Sequence, residues 1–256
     1  GWMTGWIYLA CLIVTLAAVA MALQVSLPQI SSSFQIIGTL NDPKSVAVNA
    51  ILLGSILNVI STIINARGIK LLAVVNNIGV FAELVGIILL IVLLFLSRVR
   101  SPVEAVVNIQ AGGSGFNSFP DLTVLMAATA LTASYVLYGF DTAGTLAEET
   151  HDPRKKAPRA ILQALLAAGF SGLLVLLFAL MAVPDLRMPD LGNISGGLPM
   201  LVKSVLGETA GKLFLCIVIF AILVCTFAVH SGAVRLMFAM GRDGRLPFSK
   251  SLSEVS

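Results

Sequence analysis

The most prominent pattern in this chain is a series of long apolar runs separated by short polar connections. A helix needs about 20 mostly apolar residues to cross the roughly 30 Å hydrocarbon core of a bilayer. A backbone in lipid must also satisfy its own hydrogen bonds, which a helix does within one segment. The pattern therefore predicts a single transmembrane domain over residues 1–256, all α-helical and polytopic, with six spans at about 6–30, 46–64, 71–96, 122–147, 160–183 and 213–240.

Composition supports lipid as a second solvent. Only 11% of the 256 residues are charged and 57% are hydrophobic, whereas soluble domains carry about 25% charged residues. The net charge of +3 is small, and no basic run is long enough to follow a phosphate backbone, so we expect no nucleic-acid partner. The three cysteines lie in apolar runs without metal-ligand spacing. We therefore expect no metal site, no disulfide and no cofactor.

Lysine and arginine are distributed unequally between the two sides of the predicted topology. One side carries ten of these residues and the other carries six. Because cytoplasmic connections carry the excess of positive charge, we expect the first side to be cytoplasmic. That side includes both ends of the chain and the basic connection after the fourth span.

The ends of the sequence have no features of natural termini. The chain begins Gly1-Trp2 without a basic segment or a small-residue cleavage site, and it ends at Ser256 in a loop-like stretch. We therefore expect no signal peptide, and we expect both ends to continue into a longer protein.

The fourth span contains a carboxylate between two glycines, Gly139 and Gly144, at membrane depth. Each glycine costs a helix about 1 kcal/mol relative to alanine, and an uncompensated Asp costs several times more at the bilayer centre. Secondary transporters interrupt helices near the midplane to hold a substrate or an ion. The pattern predicts such an interruption over residues 139–144. The alternative is a close helix–helix contact at the two glycines.

Two acidic residues, Glu148 and Glu149, follow the predicted interruption and precede a basic stretch, residues 154–159. One interpretation is ordinary helix capping in a solvated loop, with Pro153 ending one helix and Pro158 in the first turn of the next. The other interpretation is an inner gate, in which a glutamate pairs with a basic residue when the gate is closed.

Four segments of the sequence resemble parts of one known protein family. The run YGFDTAGTLAEETHDPRKKAPRAIL, from Tyr138, resembles the sixth helix and following loop of amino-acid permeases in the amino acid–polyamine–organocation superfamily. The tail VRLMFAMGRDGRLP from Val234 is similar to the end of the family's eighth helix. The opening GWMTGW is similar to the start of its third helix, and INARGIKLLAVVNN from Ile64 is similar to the turn between its fourth and fifth helices. The resemblance implies a partial leucine-transporter-like inverted-repeat fold containing helices three to eight, with both ends inside.

The resemblance also implies where a substrate would bind. The family's first helix, which binds the substrate carboxylate, is not in this sequence, so we expect that the chain alone does not transport. The implied substrate-binding residues are those around the interruption, with backbone carbonyls receiving an amino group and Phe140 or Tyr138 closing over it. This set is Tyr138, Gly139, Phe140, Asp141, Thr142, Ala143 and Gly144. Asp141 could instead pair within the protein and have a structural role only.

Four further residues are candidates for ion coupling or gating. Glu83 is an intramembrane carboxylate, which indicates proton coupling or, alternatively, a wet cavity or a hydrogen-bonded neighbour. Some proton-coupled relatives use a lysine in this helix, and none follows Lys70 within the span. Sodium-coupled members of the wider fold use hydroxyls of the eighth helix, for which Thr226 and Ser231 are candidates. Neighbouring His230 is interpreted either as part of that site or as a packed neutral side chain.

Three classes of function are compared. The leading interpretation is a secondary transporter of amino acids or related amines in the plasma membrane, coupled to protons or sodium or working by exchange, and not an enzyme. An intramembrane aspartyl protease would need two deep aspartates, and a haem-bearing subunit would need paired histidines; neither is present. A purely structural membrane subunit would not need a carboxylate between glycines. No motif identifies the individual substrate, the coupling ion or the oligomeric state.

Overall fold

The computed structural model describes residues 1–40, 42–67, 69–107, 119–140, 142–145, 150–185 and 197–252. Within these ranges the chain forms α-helices joined by turns and by one short 3-10 helix. In chain order they are α1 (Trp2–Ile30), the 3-10 helix (Ser32–Phe34), α2 (Pro43–Ala66), α3 (Ile69–Leu96), α4 (Pro102–Val107), α5 (Phe119–Leu137), α6 (Thr142–Thr145), α7 (Pro153–Ala182), α8 (Leu198–Leu206), α9 (Glu208–Arg242) and α10 (Ser249–Leu252).

Five of the helices in the described ranges are long and apolar enough to cross a membrane: α1, α2, α3 from Leu72, α7 and α9. This confirms the all-α polytopic class. The fourth predicted span, 122–147, is divided between α5 and α6. The division of residues 1–256 into six spans otherwise stays a prediction, because no bilayer is present.

The start of α7 differs from the sequence prediction. Pro153 occupies the first helical position and Pro158 lies inside the helix, so the assignment of Pro158 to the first turn is wrong. Proline at the first position costs nothing, because that N–H has no intrahelical partner. The helix therefore extends seven residues before the predicted span at 160, through polar residues that hydropathy does not count.

The helices belong to two compact units, residues Gly1–Val85 with Leu213–Ser256, and residues Gly86–Lys212. In the first unit, side chains of α1, α2, α3 and α9 share one apolar cluster: Val19, Leu23, Leu53, Leu57, Leu72 and Phe227. A second cluster joins α1 to α9 through Leu9, Leu12, Val229 and Ala233. Interdigitated apolar side chains supply van der Waals contact, which drives helix association in lipid.

Two glycines bring helices of the first unit unusually close. A methyl group added at Gly54 would lie 2.5 Å from the Cβ of Ala20, and one added at Gly79 would lie 2.4 Å from Val224 Cγ2. Neither position has room for a side chain. Small residues at such contacts allow backbones to approach and gain dispersion energy.

The connection between α1 and α2 is fixed by a helix cap. The Asp42 carboxylate accepts hydrogen bonds from the Lys44 N–H at 3.2 Å, the Ser45 N–H at 3.1 Å and the Ser45 hydroxyl at 2.5 Å. Gly38 has φ +65°, and a Cβ there would lie 2.1 Å from Ser45 Oγ. Glycine at 38 is thus required by both its backbone angle and the space the cap occupies.

A buried amide, Asn49, organises the same connection. Its Nδ2 donates to Gln24 Oε1 at 2.6 Å and to the Phe34 carbonyl at 2.9 Å. Its Oδ1 accepts from the N–H groups of Ile36 and Ile37 at 2.9 and 3.2 Å. All four hydrogen-bonding positions of the amide are therefore used, and the side chain is fully buried.

In the second unit, the segment after α3 is joined to the end of α7. The Met181 carbonyl accepts from the N–H groups of Val99 and Arg100 at 2.9 and 3.1 Å, and the Arg100 guanidinium donates to the Pro184 carbonyl at 2.5 Å. The next residues cap the start of α4 reciprocally. The Ser101 hydroxyl oxygen accepts from the Glu104 N–H at 3.2 Å, and the Glu104 carboxylate accepts from the Ser101 N–H at 3.0 Å.

Candidate functional site

The fourth span is interrupted as predicted, but over fewer residues than the predicted 139–144, because Thr142–Thr145 is helical. Helix α5 ends at Leu137, residues 138–140 form a turn, and α6 begins at Thr142. Gly139 has φ +93°, a backbone conformation that residues with a Cβ rarely adopt. The regular winding of the chain is lost at this glycine, and we call the turn over residues 138–140 the interruption.

Hydrogen bonds in the interruption span three residues instead of the four of an α-helix. The Tyr138 N–H donates to the Tyr135 carbonyl at 3.2 Å. Thr142 donates to the Gly139 carbonyl twice, from its N–H at 3.1 Å and from its hydroxyl at 2.6 Å. A carbonyl oxygen has two lone pairs, so Thr142 occupies both acceptor positions of Gly139.

No described residue packs closely against either of the two glycines. A Cβ at Gly139 would meet nothing within 4 Å among the described residues, and one at Gly144 would only touch Ile161 Cδ1 at 4.0 Å. The described part of the chain therefore gives no support to a close helix–helix contact at this pair. Gly139 is instead needed for its backbone angle.

Aromatic side chains flank the interruption. The rings of Tyr135 and Tyr138 are stacked, with centroids 6.2 Å apart and planes at 11°. Phe140 is 39% exposed, while Tyr138 is half-buried. An exposed ring beside a turn is free to contact a ligand, but the role of Phe140 or Tyr138 in covering a substrate stays a prediction.

Some of the expected site residues cannot be placed. Asp141, Glu148 and Glu149 lie outside the described residues, as does the side chain of Ala143. The proposed gate between a glutamate and a basic residue is therefore untested.

Helix α7 supports the end of α5 through two glycines that the sequence analysis did not single out. A Cβ at Gly172 would lie 2.9 Å from Val136 Cγ1, and one at Gly169 would lie 3.2 Å from Leu137 Cδ2. The two glycines are three residues apart and so share one face of α7. The last two residues of α5 before the interruption thus pack directly on the α7 backbone. The signal in the sequence was a Gly-x-x-Gly pattern within an apolar span.

Glu83 lies in α3, in the first unit, one helical turn after Gly79. Its side chain is exposed and makes no hydrogen bond or ion pair with a described residue. The alternative of a hydrogen-bonded neighbour therefore has no support in the described part of the chain.

The candidate residues of α9 are mostly buried. Thr226 is 1% exposed and its hydroxyl donates to the Ile222 carbonyl at 2.8 Å. Ser231 is also buried, and His230 is half-buried, its Nδ1 lacking a hydrogen-bond partner in the described ranges. A hydroxyl that donates to a carbonyl keeps lone pairs that can bind a cation, so the geometry of Thr226 is compatible with an ion ligand.

The described ranges contain five long apolar helices, and a glycine turn separates α5 from α6, which together indicate a multi-pass membrane protein. Secondary transporters hold small solutes at helix interruptions of this kind. Comparison with known proteins also identifies a membrane protein family. The chain belongs to the amino acid permease family, whose sequence profile matches residues 1–256.

Relatives with curated names are transporters. Amino-acid permease BAT1 of Arabidopsis thaliana is 26% identical over 210 residues, covering 77% of this chain and 40% of that protein. Low-affinity putrescine importer PlaP of Escherichia coli K12 is 31% identical over 131 residues, 50% of this chain and 27% of that protein. The methylthioribose transporter of Bacillus subtilis is 27% identical over 186 residues, which cover 73% of this chain and 37% of that protein.

The chain thus spans two-fifths or less of the length of each of these three relatives. No solved structure matches it.

Proposed function

We propose that the protein containing this chain is a secondary transporter that moves amino acids or related amines across the plasma membrane by alternating access. The observation that carries the proposal is the interruption at residues 138–140 between two helical segments of one apolar stretch. The names of relatives support it, since they include an amino-acid permease and a putrescine importer. Amino acids and putrescine share an amino group.

In this proposal the amino group is received by backbone carbonyls at the interruption. The Gly139 carbonyl is the poorer candidate, because Thr142 already donates to it twice. The carbonyls of neighbouring residues are the better candidates, with Phe140 or Tyr138 covering the bound substrate. Asp141 supplies negative charge that favours a cationic group, and Gly144 gives the backbone freedom to move as the substrate enters.

Residues other than those of the substrate site carry the coupling and gating roles in this proposal. Glu83 takes up and releases a proton during the cycle, while Thr226 and Ser231 are the ligands if the coupling ion is sodium, with His230 beside them. Glu148 or Glu149 closes the inner side by pairing with a basic residue after it.

Uptake by the full-length protein in proteoliposomes tests the main proposal. We expect saturable uptake of at least one labelled amino acid or of putrescine. Failure to transport any amino acid or amine, with the protein monodisperse and inserted, would refute it.

A matched glycine pair tests the site. Gly139→Ala forces a side chain into a left-handed angle, which costs about 1–2 kcal/mol, and should reduce uptake at least tenfold. Gly207→Ala is the control, because Gly207 also has a positive φ, +83°, with no described atom within 4 Å of an added Cβ, but lies after α8 and outside the interruption. Equal uptake by the two variants would remove the interruption from the mechanism.

Charge substitutions separate binding from coupling. Asp141→Asn removes charge with little change in volume, so uptake should fall while membrane insertion is retained. Glu83→Gln should flatten the pH dependence of uptake. An unchanged pH profile would exclude the coupling role of Glu83 but leave the binding site untouched.

A further inference from the structure

The first turns of α7 carry four cationic side chains within six residues: Arg154, Lys155, Lys156 and Arg159. We call this cluster the α7 basic collar. All four residues are exposed, and none forms an ion pair with a carboxylate in the described ranges. The collar therefore presents uncompensated positive charge at one end of a candidate membrane span.

The nearest acidic residue along the helix does not neutralise the collar. Asp152 immediately precedes α7 in a left-handed conformation, φ 56°, and its side chain makes no capping hydrogen bond. Its backbone carbonyl instead accepts the N–H groups of Lys155 and Lys156 at 3.1 and 3.0 Å. Among the described residues around the start of α7, one exposed carboxylate beside four cations leaves a net positive surface.

The body of α7 is the least covered of the five candidate spans. Only 11% of the residues in its most apolar 18-residue stretch are buried, whereas 22–33% are buried in the corresponding stretches of the other four helices. Its exposed large side chains recur at helical spacing along one face: Leu162, Leu166, Phe170, Leu173 and Leu176. Directly beyond the collar, this helix therefore presents an apolar surface of the kind that contacts acyl chains.

The dimensions of the collar match one headgroup layer. An α-helix rises 1.5 Å per residue, so Arg154 and Arg159 are separated by about 7–8 Å along the axis. The polar layer on each side of a bilayer is about 5–8 Å thick. Lysine and arginine side chains also extend toward the interface while their methylene groups lie along apolar surface. All four charges can therefore reach phosphates at one depth.

We propose that the α7 basic collar binds anionic phospholipid headgroups in the leaflet where α7 begins, with the acyl chains lying along the exposed face of α7. A lipid carries a phosphate and an apolar chain joined end to end, which is the order of charge and apolar surface along α7. A soluble phosphate or an acidic peptide would use the collar but leave the apolar face without a partner.

Electron spin resonance of spin-labelled lipids tests the proposal on the full-length protein in bilayers. The measured quantity is the preference of the protein for phosphatidylglycerol over phosphatidylcholine. Replacing all four collar residues with glutamine should lower that preference by at least about threefold at low salt, since each cation near the surface adds to the attraction for anionic lipid. Raising the salt to 0.5 M should weaken it in the wild type, because charges are then screened.

The matched control removes one cation together with its partner. Lys212 lies 2.8 Å from the Glu208 carboxylate, so Lys212→Gln with Glu208→Gln keeps the net charge and should leave the lipid preference unchanged. If the fourfold variant is not monodisperse, Lys155→Gln with Arg159→Gln removes two neighbouring charges and should give about half the logarithmic effect.

Three outcomes would overturn the proposal. The first is no preference for phosphatidylglycerol in the wild type, and the second is an undiminished preference in the collar variants. The third is displacement of the labelled lipid by millimolar inorganic phosphate beyond the effect of sodium chloride at equal ionic strength, which would identify a site for soluble phosphate instead.

Discussion

Thr142 donates two hydrogen bonds to the carbonyl oxygen of Gly139, from its N–H at 3.1 Å and from its hydroxyl at 2.6 Å. These bonds close the interruption at the point where Gly139 has a left-handed backbone angle. The side chain of Thr142 therefore stabilises a turn that helix propensity alone would not form, and it does so from the first residue of α6.

Replacing this hydroxyl should weaken the interruption. Thr142→Val keeps the branched shape but removes one hydrogen bond, worth about 1 kcal/mol. We expect a lower melting temperature and an uptake rate reduced several-fold. Thr142→Ser keeps the hydroxyl and is the control. Wild-type uptake and stability in the valine variant would show that the backbone bond alone holds the turn.

The contact of Gly172 with Val136 should tolerate only a small side chain at one of the two positions. Gly172→Ala places a methyl group 2.9 Å from Val136 Cγ1, and overpacking of this kind costs about 1–3 kcal/mol. The added Val136→Ala substitution should restore part of the loss, because it removes the clashing methyl group. Thermal unfolding of both single variants and the double variant measures the coupling; additive effects would contradict a direct contact.

Loss of the Asn49 amide should be costly. Asn49→Ala leaves the N–H groups of Ile36 and Ile37 and the oxygen of the buried Gln24 amide without this partner, and an unsatisfied buried group such as the Gln24 oxygen costs about 1–3 kcal/mol. We expect a loss of about 2–4 kcal/mol in chemical denaturation. Asn58→Ala in the same helix is the control and should have a small effect, because its side chain is less buried.

The Asp42 cap should respond to acid. Hydrogen bonds from the Ser45 hydroxyl, the Ser45 N–H and the Lys44 N–H hold the pKa of Asp42 below its ordinary value of 3.8. A lowered pKa means that the cap stabilises the fold above about pH 4. This contribution is lost as the pH falls through the lowered value.

Nuclear magnetic resonance can measure that titration. The Ser45 amide resonance should titrate with a midpoint below 3.8. Ser45→Ala removes the largest cause of the shift and should move the midpoint upward. A midpoint at the ordinary value in the wild type would contradict the cap.

The spans were predictable because lipid imposes a length and a polarity on any helix that crosses it. Helix α1 begins at Trp2 and ends at Ile30, close to the predicted 6–30. The interruption was also predictable, since glycines flanking a carboxylate conflict with an ordinary lipid-facing helix. Where predicted boundaries failed, as at Pro153, the helix continues through charged residues that hydropathy excludes but that a helix end tolerates.

Contacts between distant segments could not be predicted. The four hydrogen bonds of Asn49 reach Gln24 in α1 and three residues of the α1–α2 connection, and the position of an asparagine in an apolar run does not identify these partners. The packing of Val136 on Gly172 likewise depends on how α5 lies against α7. Both contacts are set by tertiary geometry, which local sequence patterns do not contain.

The space between Gly38 and Ser45 links two positions that are seven residues apart. A Cβ at 38 would lie 2.1 Å from the Ser45 Oγ and 2.5 Å from the Ser45 Cβ, so losing the serine hydroxyl alone would not make room for alanine at 38. In related sequences we therefore expect glycine at 38 wherever position 45 carries any side chain.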